Sequence, residues 1–406
     1  MNSVFDNDKK KCTGCEACAN VCPTKSIRMV RDEEGFRYPV INDDLCIDCG
    51  MCNKVCPMIN KTEKHKELQL VFGGHIKDDR IRDESSSGGI FSQIVDEFCK
   101  DNYVVFGAES SGLAVIHTYV EDKKDIAKYR RSKYSQSRIN NCYNEAINFL
   151  NNGKNVLFSG TPCQISALLN IIPDEKLKEK LFTVEVVCEG FPSPILLEKY
   201  EEVLVKRYHA PIRKLDYRYK DGNRWDFQVM RIELENDRAI KCDRWFSPFW
   251  IFWARRLMSR PSCESCVFRT PNRVADITLG DLWGVHLYCP ELYDDNKGAT
   301  LVVCNSEKGK NLMKNMRSDL VGHELKYEEA LVYQRPMRVI VPANEKRDEF
   351  MKDLIECDYK TLCKKWKATE PIKVLFSKYI YGSNRQIVNR WIREQRKKKR
   401  GEMQCE

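Results

Sequence analysis

Eight cysteines near the N-terminus fall into two copies of one spacing, Cys12-x2-Cys15-x2-Cys18-x3-Cys22-Pro23 and Cys46-x2-Cys49-x2-Cys52-x3-Cys56-Pro57. Four thiolates at that spacing suit a 4Fe–4S cubane. Three cysteines of a run wrap one face of a cube, and the fourth, just before proline, reaches across to the other cube. Cys12, Cys15, Cys18 and Cys56 are therefore expected to hold one cluster, and Cys46, Cys49, Cys52 and Cys22 a second. A zinc site needs only two Cys-x2-Cys pairs and gives no reason for the third cysteine or the proline. A disulfide framework would suit a secreted chain, and MNSVFDNDKKKC has no apolar leader core.

Four further cysteines sit where a metal could use them. In Ser159-Gly160-Thr161-Pro162-Cys163-Gln164, proline at the first helical position puts Cys163 in the first turn, where free amides stabilise a thiolate. A nucleophile there would need a base, and neither His117 nor His209 shows a partnering pattern, which favours ligation. Cys188 stands at the C-terminal end of an expected strand, where ligands collect in open α/β sheets. Cys263-Glu264-Ser265-Cys266 lies in a turn-rich segment. Two single cysteines and one Cys-x2-Cys make the four thiolates of a third 4Fe–4S cluster. Taken singly, each is more often a small buried hydrophobe. The other eight, Cys99, Cys142, Cys242, Cys289, Cys304, Cys357, Cys363 and Cys405, show no ligand spacing.

Three stretches carry anion or ring chemistry. Ser85-Ser86-Ser87-Gly88-Gly89 precedes a helix, so its amides suit a phosphate, or it is a plain serine N-cap with a turn glycine. Arg130-Arg131-Ser132-Lys133-Tyr134-Ser135-Gln136-Ser137 offers Lys133 and Ser135 to a phosphate or a flavin pyrimidine, or is a surface loop. In Ala275 to Gly284 a strand ends at Gly280. Asp281 offers a carboxylate to a ring or ribose and Trp283 an indole for stacking, with a packed turn as the plain reading.

These residues need a scaffold of two kinds. Residues 1–62 read as a small bacterial-type two-cluster ferredoxin domain, with short strands at 26–29 and 37–41 and a polar linker at 61–67. From Leu68 strands and helices alternate. Strands are expected at 70–76, 103–108, 115–120, 155–158, 182–187 and 299–304. Helices are expected at 88–100, 144–150, 162–170 and 194–207. That alternation predicts an α/β core with some parallel pairing, followed by an antiparallel region at 215–219 and 227–234. The fold class is thus α+β or α/β, with domains at 1–62 and 68–340. A helical, charged C-terminal tail is expected at 341–406.

Length and composition narrow the function. A chain of 406 residues exceeds one ordinary core. Twenty cysteines without a secretory leader fit a reducing cytoplasm and metal ligation. No apolar run is long enough to span a bilayer. The formal charge of +9 is concentrated between Arg385 and Arg400, with eight Lys/Arg against Glu394 alone, so it gives no nucleic-acid signal. That tail suits contact with a membrane surface or an acidic partner, or is a solvated helix.

Ser87-Gly88-Gly89, the 133–137 stretch, Gly160-Thr161-Pro162-Cys163-Gln164, Cys188-Glu189-Gly190, Pro261 to Cys266 and Asp276 to Gly284 occur in one order along the chain. Together they resemble the coenzyme F-420 hydrogenase/dehydrogenase beta-subunit family over roughly residues 70–304, here behind a two-cluster ferredoxin module. The resemblance implies a mixed α/β flavoprotein domain in which Cys163, Cys188, Cys263 and Cys266 hold a cluster beside FAD. It also implies that Ser87, Gly88 and Gly89 take part of the dinucleotide. Where many members have Cys-His-Gly, this chain has Cys188-Glu189-Gly190, so a role resting on that histidine has no counterpart here.

The expected protein is a cytoplasmic iron–sulfur flavoprotein oxidoreductase. It passes electrons between a ferredoxin or other redox protein and a two-electron small molecule, the deazaflavin coenzyme F-420 or another organic substrate, in either direction. A flavin belongs where one-electron and two-electron steps meet. The competing expectations are an electron-transfer subunit with no substrate site of its own, and a redox sensor.

Overall fold

The computed structural model describes residues 8–65, 70–172, 174–222, 225–292, 295–380, 391, 392 and 395. Most of the basic stretch 385–400 therefore lies outside the described residues, as do part of the expected linker and Leu68.

The first module is built from two one-turn helices, Ala17–Val21 and Met51–Val55, and an antiparallel pair, β1 (Ile27–Arg31) and β2 (Arg37–Ile41). Each helix starts inside a cysteine run at a residue in the left-handed region, Glu16 in the first and Gly50 in the second. The chain thus folds back so that successive cysteines of a run face one point.

The main sheet has eight strands. They are β3 (Leu70–Ile76), β4 (Tyr103–Ser111), β5 (Ala114–Val120), β6 (Asn155–Gly160) and β7 (Leu181–Val186), with β11 (Ile277–Asp281), β12 (Thr300–Cys304) and β13 (Leu320–Glu324) after an insertion. Their order is β13-β3-β12-β11-β7-β6-β4-β5. The pairings β4–β6, β6–β7 and β7–β11 are parallel, and both flanks are antiparallel. The insertion carries β8 (Ile212–Tyr219), β9 (Val229–Leu234) and β10 (Ala239–Cys242) as a separate antiparallel sheet. The fold is mixed α/β with a ferredoxin-like module in front, as the alternation of elements predicts.

Period-two patterning divides the core. On one face Val104, Phe106, Val156 and Phe158 pack with the helices Cys142–Asn151 and Pro162–Ile171. Cys15, Ala17 and Val55 of the first module join that same cluster, so the module seals one face of the sheet. On the other face Val105, Leu157, Phe182 and Val184 meet the helices Ile90–Phe98 and Glu307–Asn315. A further core surrounds the small sheet, where Leu204, Tyr217, Ile232, Trp250 and Phe252 pack with Phe350, Leu354 and Leu362. The helices Arg347–Glu356 and Tyr359–Lys365 of the charged C-terminal region therefore lie on this sheet unit. Cys99 and Cys304 are fully packed core residues. Among the described residues no helix is long and apolar enough to cross a membrane.

Polar contacts fix the first module in place. The Glu16 carboxylate accepts the amides of Ile139 and Asn140 at 3.0 Å each and pairs with Arg37 at 3.1 Å. The Gln136 side-chain amide donates to the carbonyls of Thr13 and Gly14. At the far edge Arg347 pairs with Glu34 at 2.6 Å.

Candidate functional site: three sets of thiols and an arginine–tryptophan cluster

Cys12, Cys15, Cys18 and Cys56 converge. Cys15 and Cys18 each lie within electrostatic range of Cys12 and Cys56, so the last member comes from the other run. Burial pushes the Cys15 thiol up to about 12 and that of Cys18 well above its ordinary value. Thiols so crowded and dry ionise only beside a cation, the condition a metal centre supplies. Cys46, Cys49 and Cys52 form the second group. Cys22 packs with Cys52 and Ile27 in one small apolar cluster that also contains Cys18. Burial raises Cys22, but hydrogen bonds from the hydroxyls of Ser26 and Thr24 and the Ser26 amide outweigh it and bring the thiol down to about 7.

The four later cysteines come from three elements to line one cavity with Thr13, Gly190, Phe191 and Arg269. Cys163 stands second in its helix, behind Pro162. A capping box fixes that turn: the Gln164 side-chain oxygen accepts from the Thr161 amide at 3.0 Å, while its amide donates to Ser137. Cys188 follows β7 and accepts the Gly190 amide at 3.3 Å. Cys263 lies in the turn Pro261–Glu264, with Cys266 just beyond. Burial pushes Cys188 up to about 12, Cys263 up to about 11 and Cys163 well above its ordinary value. The four-sulfur donor set, with Arg269 and Arg273 lining the same cavity, fits an anionic iron–sulfur cluster.

The sets are neighbours. Cys163 lies within electrostatic range of Cys15, and both belong to the same packed cluster. The Tyr143 hydroxyl contacts both the Cys15 and the Gln164 carbonyl oxygens, at 3.1 Å each.

A cluster of arginines and tryptophans lies toward the third set, since Arg244 and Arg256 both come within electrostatic range of Glu189, the neighbour of Cys188. The turn at 85–89 is tied to the 130–137 stretch by the Ser132 amide donating to Ser86 Oγ. Trp225 Nε1 donates to the Ser86 carbonyl, and the Trp225 ring stacks on Trp283 at 4.9 Å. Arg218 lies over both indoles, at 5.7 and 5.5 Å, and pairs with Asp281 at 2.5 Å. Its Nη2 is buried without a partner among the described residues. Arg244 and Arg256 are pulled below their ordinary values by burial, then by Arg218 and Arg269 respectively. Both also lie within electrostatic range of the Glu189 carboxylate, which offsets part of this crowding.

The expected cofactor contacts occupy varied positions here. Asp281 joins the arginine–tryptophan cluster through Arg218. Ser135 Oγ meets the Tyr217 hydroxyl at 2.9 Å. Lys133 Nζ donates to the carbonyls of Lys128, Tyr129 and Arg130, and burial brings it down to about 7. Ser87 Oγ donates to the Ala299 carbonyl, and the Gly88 amide to Thr300 Oγ1 at 2.8 Å. A side chain at Gly88 would strike the Gly74 carbonyl at 2.3 Å, so this glycine lets two backbone segments touch. Gly89, at φ 82°, caps the following helix. Arg218, Trp225 and Lys220 were not legible as site residues. For Arg218 and Lys220 the signal is charge at alternate positions around the end of β8, since both are buried and Lys220 Nζ donates to the Ser87 carbonyl.

A family model for the C terminus of the coenzyme F420 hydrogenase/dehydrogenase beta chain matches residues 153–329, and one for a 4Fe-4S dicluster domain matches residues 11–59. Over 57 residues the chain is 40% identical to an uncharacterized polyferredoxin-like protein of Methanocaldococcus jannaschii, covering 12% of this chain and 34% of that one. Over 225 residues it is 23% identical to one of the subunits of the F(420)H(2) dehydrogenase of Methanosarcina mazei, covering 51% of this chain and 61% of that one. It thus spans about a third of the first relative and three-fifths of the second. The solved F420-reducing NiFe hydrogenase complex of Methanosarcina barkeri contains a chain with 17% identity and a TM-score of 0.42, over 74% of this chain and 91% of that one. The chain thus carries the C-terminal module of the coenzyme F420 hydrogenase/dehydrogenase beta-subunit family behind a 4Fe–4S dicluster domain.

Proposed function

We propose that the protein is an iron–sulfur flavoprotein oxidoreductase that moves electrons between a one-electron redox partner and an anionic two-electron substrate. The observation that carries this reading is the file of three thiol sets. Cys46, Cys49, Cys52 and Cys22 would hold the outermost cluster, Cys12, Cys15, Cys18 and Cys56 the middle one, and Cys163, Cys188, Cys263 and Cys266 the innermost. The middle set has Cys18 in one apolar cluster with Cys52 and has Cys15 beside Cys163.

The ends of the file differ. Cys49 is exposed, and Leu45, Ile47 and Met51 around it present apolar surface, which suits docking of a ferredoxin or another redox protein. FAD would lie between the inner end and the arginine–tryptophan cluster. Bound there, FAD supplies the exchange between single electrons and electron pairs. Asp281 orients Arg218, whose free Nη2 can meet an anionic oxygen, and the paired Trp225 and Trp283 offer a flat apolar wall. Arg244 and Arg256 favour a substrate bearing carboxylate or phosphate; the deazaflavin coenzyme F-420 is one such candidate.

Anaerobically reconstituted protein should contain about twelve iron atoms per chain on three clusters, with one flavin. Cys263→Ala should lower iron to about eight and abolish flavin reduction by reduced ferredoxin. Iron near eight in the parent, unchanged in Cys263→Ala, would overturn the innermost assignment. An electron-transfer subunit without its own substrate site is the second reading, favoured by the likeness to one component of a dehydrogenase. It predicts flavin that reoxidises with no acidic acceptor until a partner protein is added.

A further inference from the structure

Cys289, Glu291 and His323 form a second kind of donor set that shares no residue with the three thiol sets. Cys289 is buried at the end of the short helix Val285–Tyr288, and Glu291 follows in the turn Pro290–Leu292. His323 comes from β13, an edge strand that joins the sheet by pairing with β3. No sequence spacing links the two segments, so only folding brings them together. Cys289 Sγ lies 3.2 Å from Glu291 Oε1 and 2.9 Å from His323 Nε2, and Glu291 Oε1 lies 2.9 Å from the same Nε2.

That triangle is the wrong shape for a thiol–imidazole nucleophile. In such a relay the carboxylate orients the ring from the opposite nitrogen. Here thiol and carboxylate meet one ring nitrogen, which has one proton or one lone pair to offer. A cation at the centre would take a lone pair from all three atoms at once. Thiolate, imidazole and carboxylate are together the ligand types of zinc, whereas magnesium and calcium take oxygen. Zinc bonds of ~2.0–2.3 Å imply tetrahedral edges of roughly 3.3–3.7 Å, so the triangle need open by only about half an ångström.

We propose that Cys289, Glu291 and His323 form a zinc site, independent of the iron–sulfur donors, with a fourth position open to water. The side chains of Glu291 and His323 are 56% and 48% exposed, which leaves a solvent approach. On binding, the Cys289 sulfhydryl proton leaves to solvent and the sulfur coordinates as thiolate. The ion would pin the segment that follows Asp281 and Trp283 to the edge strand.

The test is metal analysis of anaerobically purified, iron-replete protein exposed to zinc chloride and desalted. One zinc per chain is expected in the parent. His323→Ala and Glu291→Gln alter half-exposed side chains and should keep the iron content. Each should weaken zinc binding by more than the ~10–100-fold that loss of an outer-shell partner costs. A parent that takes up no zinc overturns the proposal, as does zinc retained at parental affinity in His323→Ala. Zinc that disappears in Cys263→Ala but persists in His323→Ala belongs to the inner cysteines and overturns it equally.

Discussion

The Arg260 guanidinium donates from Nε to the Cys12 carbonyl at 3.0 Å and holds Nη2 3.8 Å from the Cys12 sulfur, although Arg260 belongs to the segment bearing Cys263 and Cys266. It is fully buried over the Tyr38 ring, and its other hydrogen-bond partners are neutral, the Gln136 side chain and the Arg37 carbonyl. A buried cation so placed would stabilise the more negative, reduced form of the middle cluster. Arg260→Gln should shift that cluster's midpoint to more negative values. A hydrogen bond to a charged group contributes ~1.5–3 kcal/mol. At ~59 mV per tenfold for one electron, the shift should not exceed about 130 mV. Redox titration followed by electron paramagnetic resonance measures it, and a potential equal to the parent's would remove Arg260 from any tuning role.

Gly190 has φ 101°, and a Cβ there would lie 2.8 Å from the Cys263 Cβ. Gly190→Ala should therefore both strain the backbone, by about 1–3 kcal/mol, and push the Cys263 turn outward. The expected outcome is reduced iron loading and a lower unfolding midpoint together. Stability loss with full iron content would show that the turn yields without disturbing the donor set.

Glu185 and Arg273 form an ion pair buried on both sides, with Thr278 Oγ1 donating to the same carboxylate oxygen at 2.9 Å. Glu185→Ala leaves Arg273 uncompensated in the core and should cost about 3–5 kcal/mol, read from denaturant unfolding. The double change Glu185→Leu with Arg273→Met should recover much of it, because an apolar pair needs no mutual neutralisation.

His117 is fully buried, with Nε2 at 3.0 Å from the Ser159 carbonyl, and burial pushes its imidazole down to about 4. The folded state therefore holds it neutral while the unfolded chain takes a proton below its ordinary value of 6.5. Its contribution is intact above that pH and is lost progressively as pH falls toward 4. Between pH 7.5 and 5.5 the parent should lose about 1 kcal/mol that a His117→Gln variant does not lose. Parallel pH profiles for the two proteins would assign the acid sensitivity to other groups.

The sequence exposes the fold where burial and periodicity coincide. The strands at 70–76 and 155–160 and the helix behind Pro162 carry apolar residues at the spacing their elements need. β13 escapes because Leu-Val-Gly-His-Glu is an edge strand with Leu320 alone buried. The stripe of Phe350, Leu354 and Leu362 is hidden among charges that face solvent, so these helices resemble a free tail until the small sheet is seen beneath them. Cysteines in short runs announce their own grouping. Arg218 does not, because a charge in a strand reads as a surface residue unless Asp281 and two indoles are already known to face it. Cys289 and His323 stand 34 residues apart and meet through strand order alone.

The two cysteine runs repeat each other in sequence but not in circumstance. Thr13 and Cys15 of the first are walled in beside Cys163, while Cys49 of the second stands at the surface. Under the proposed ligation the circuit is in series and its order differs from chain order. The middle link is a single point of failure. Loss of the outermost cluster would close the natural entrance yet leave small artificial donors able to load the rest. Loss of the middle one would strand the surface from the innermost set, however intact the two ends remained.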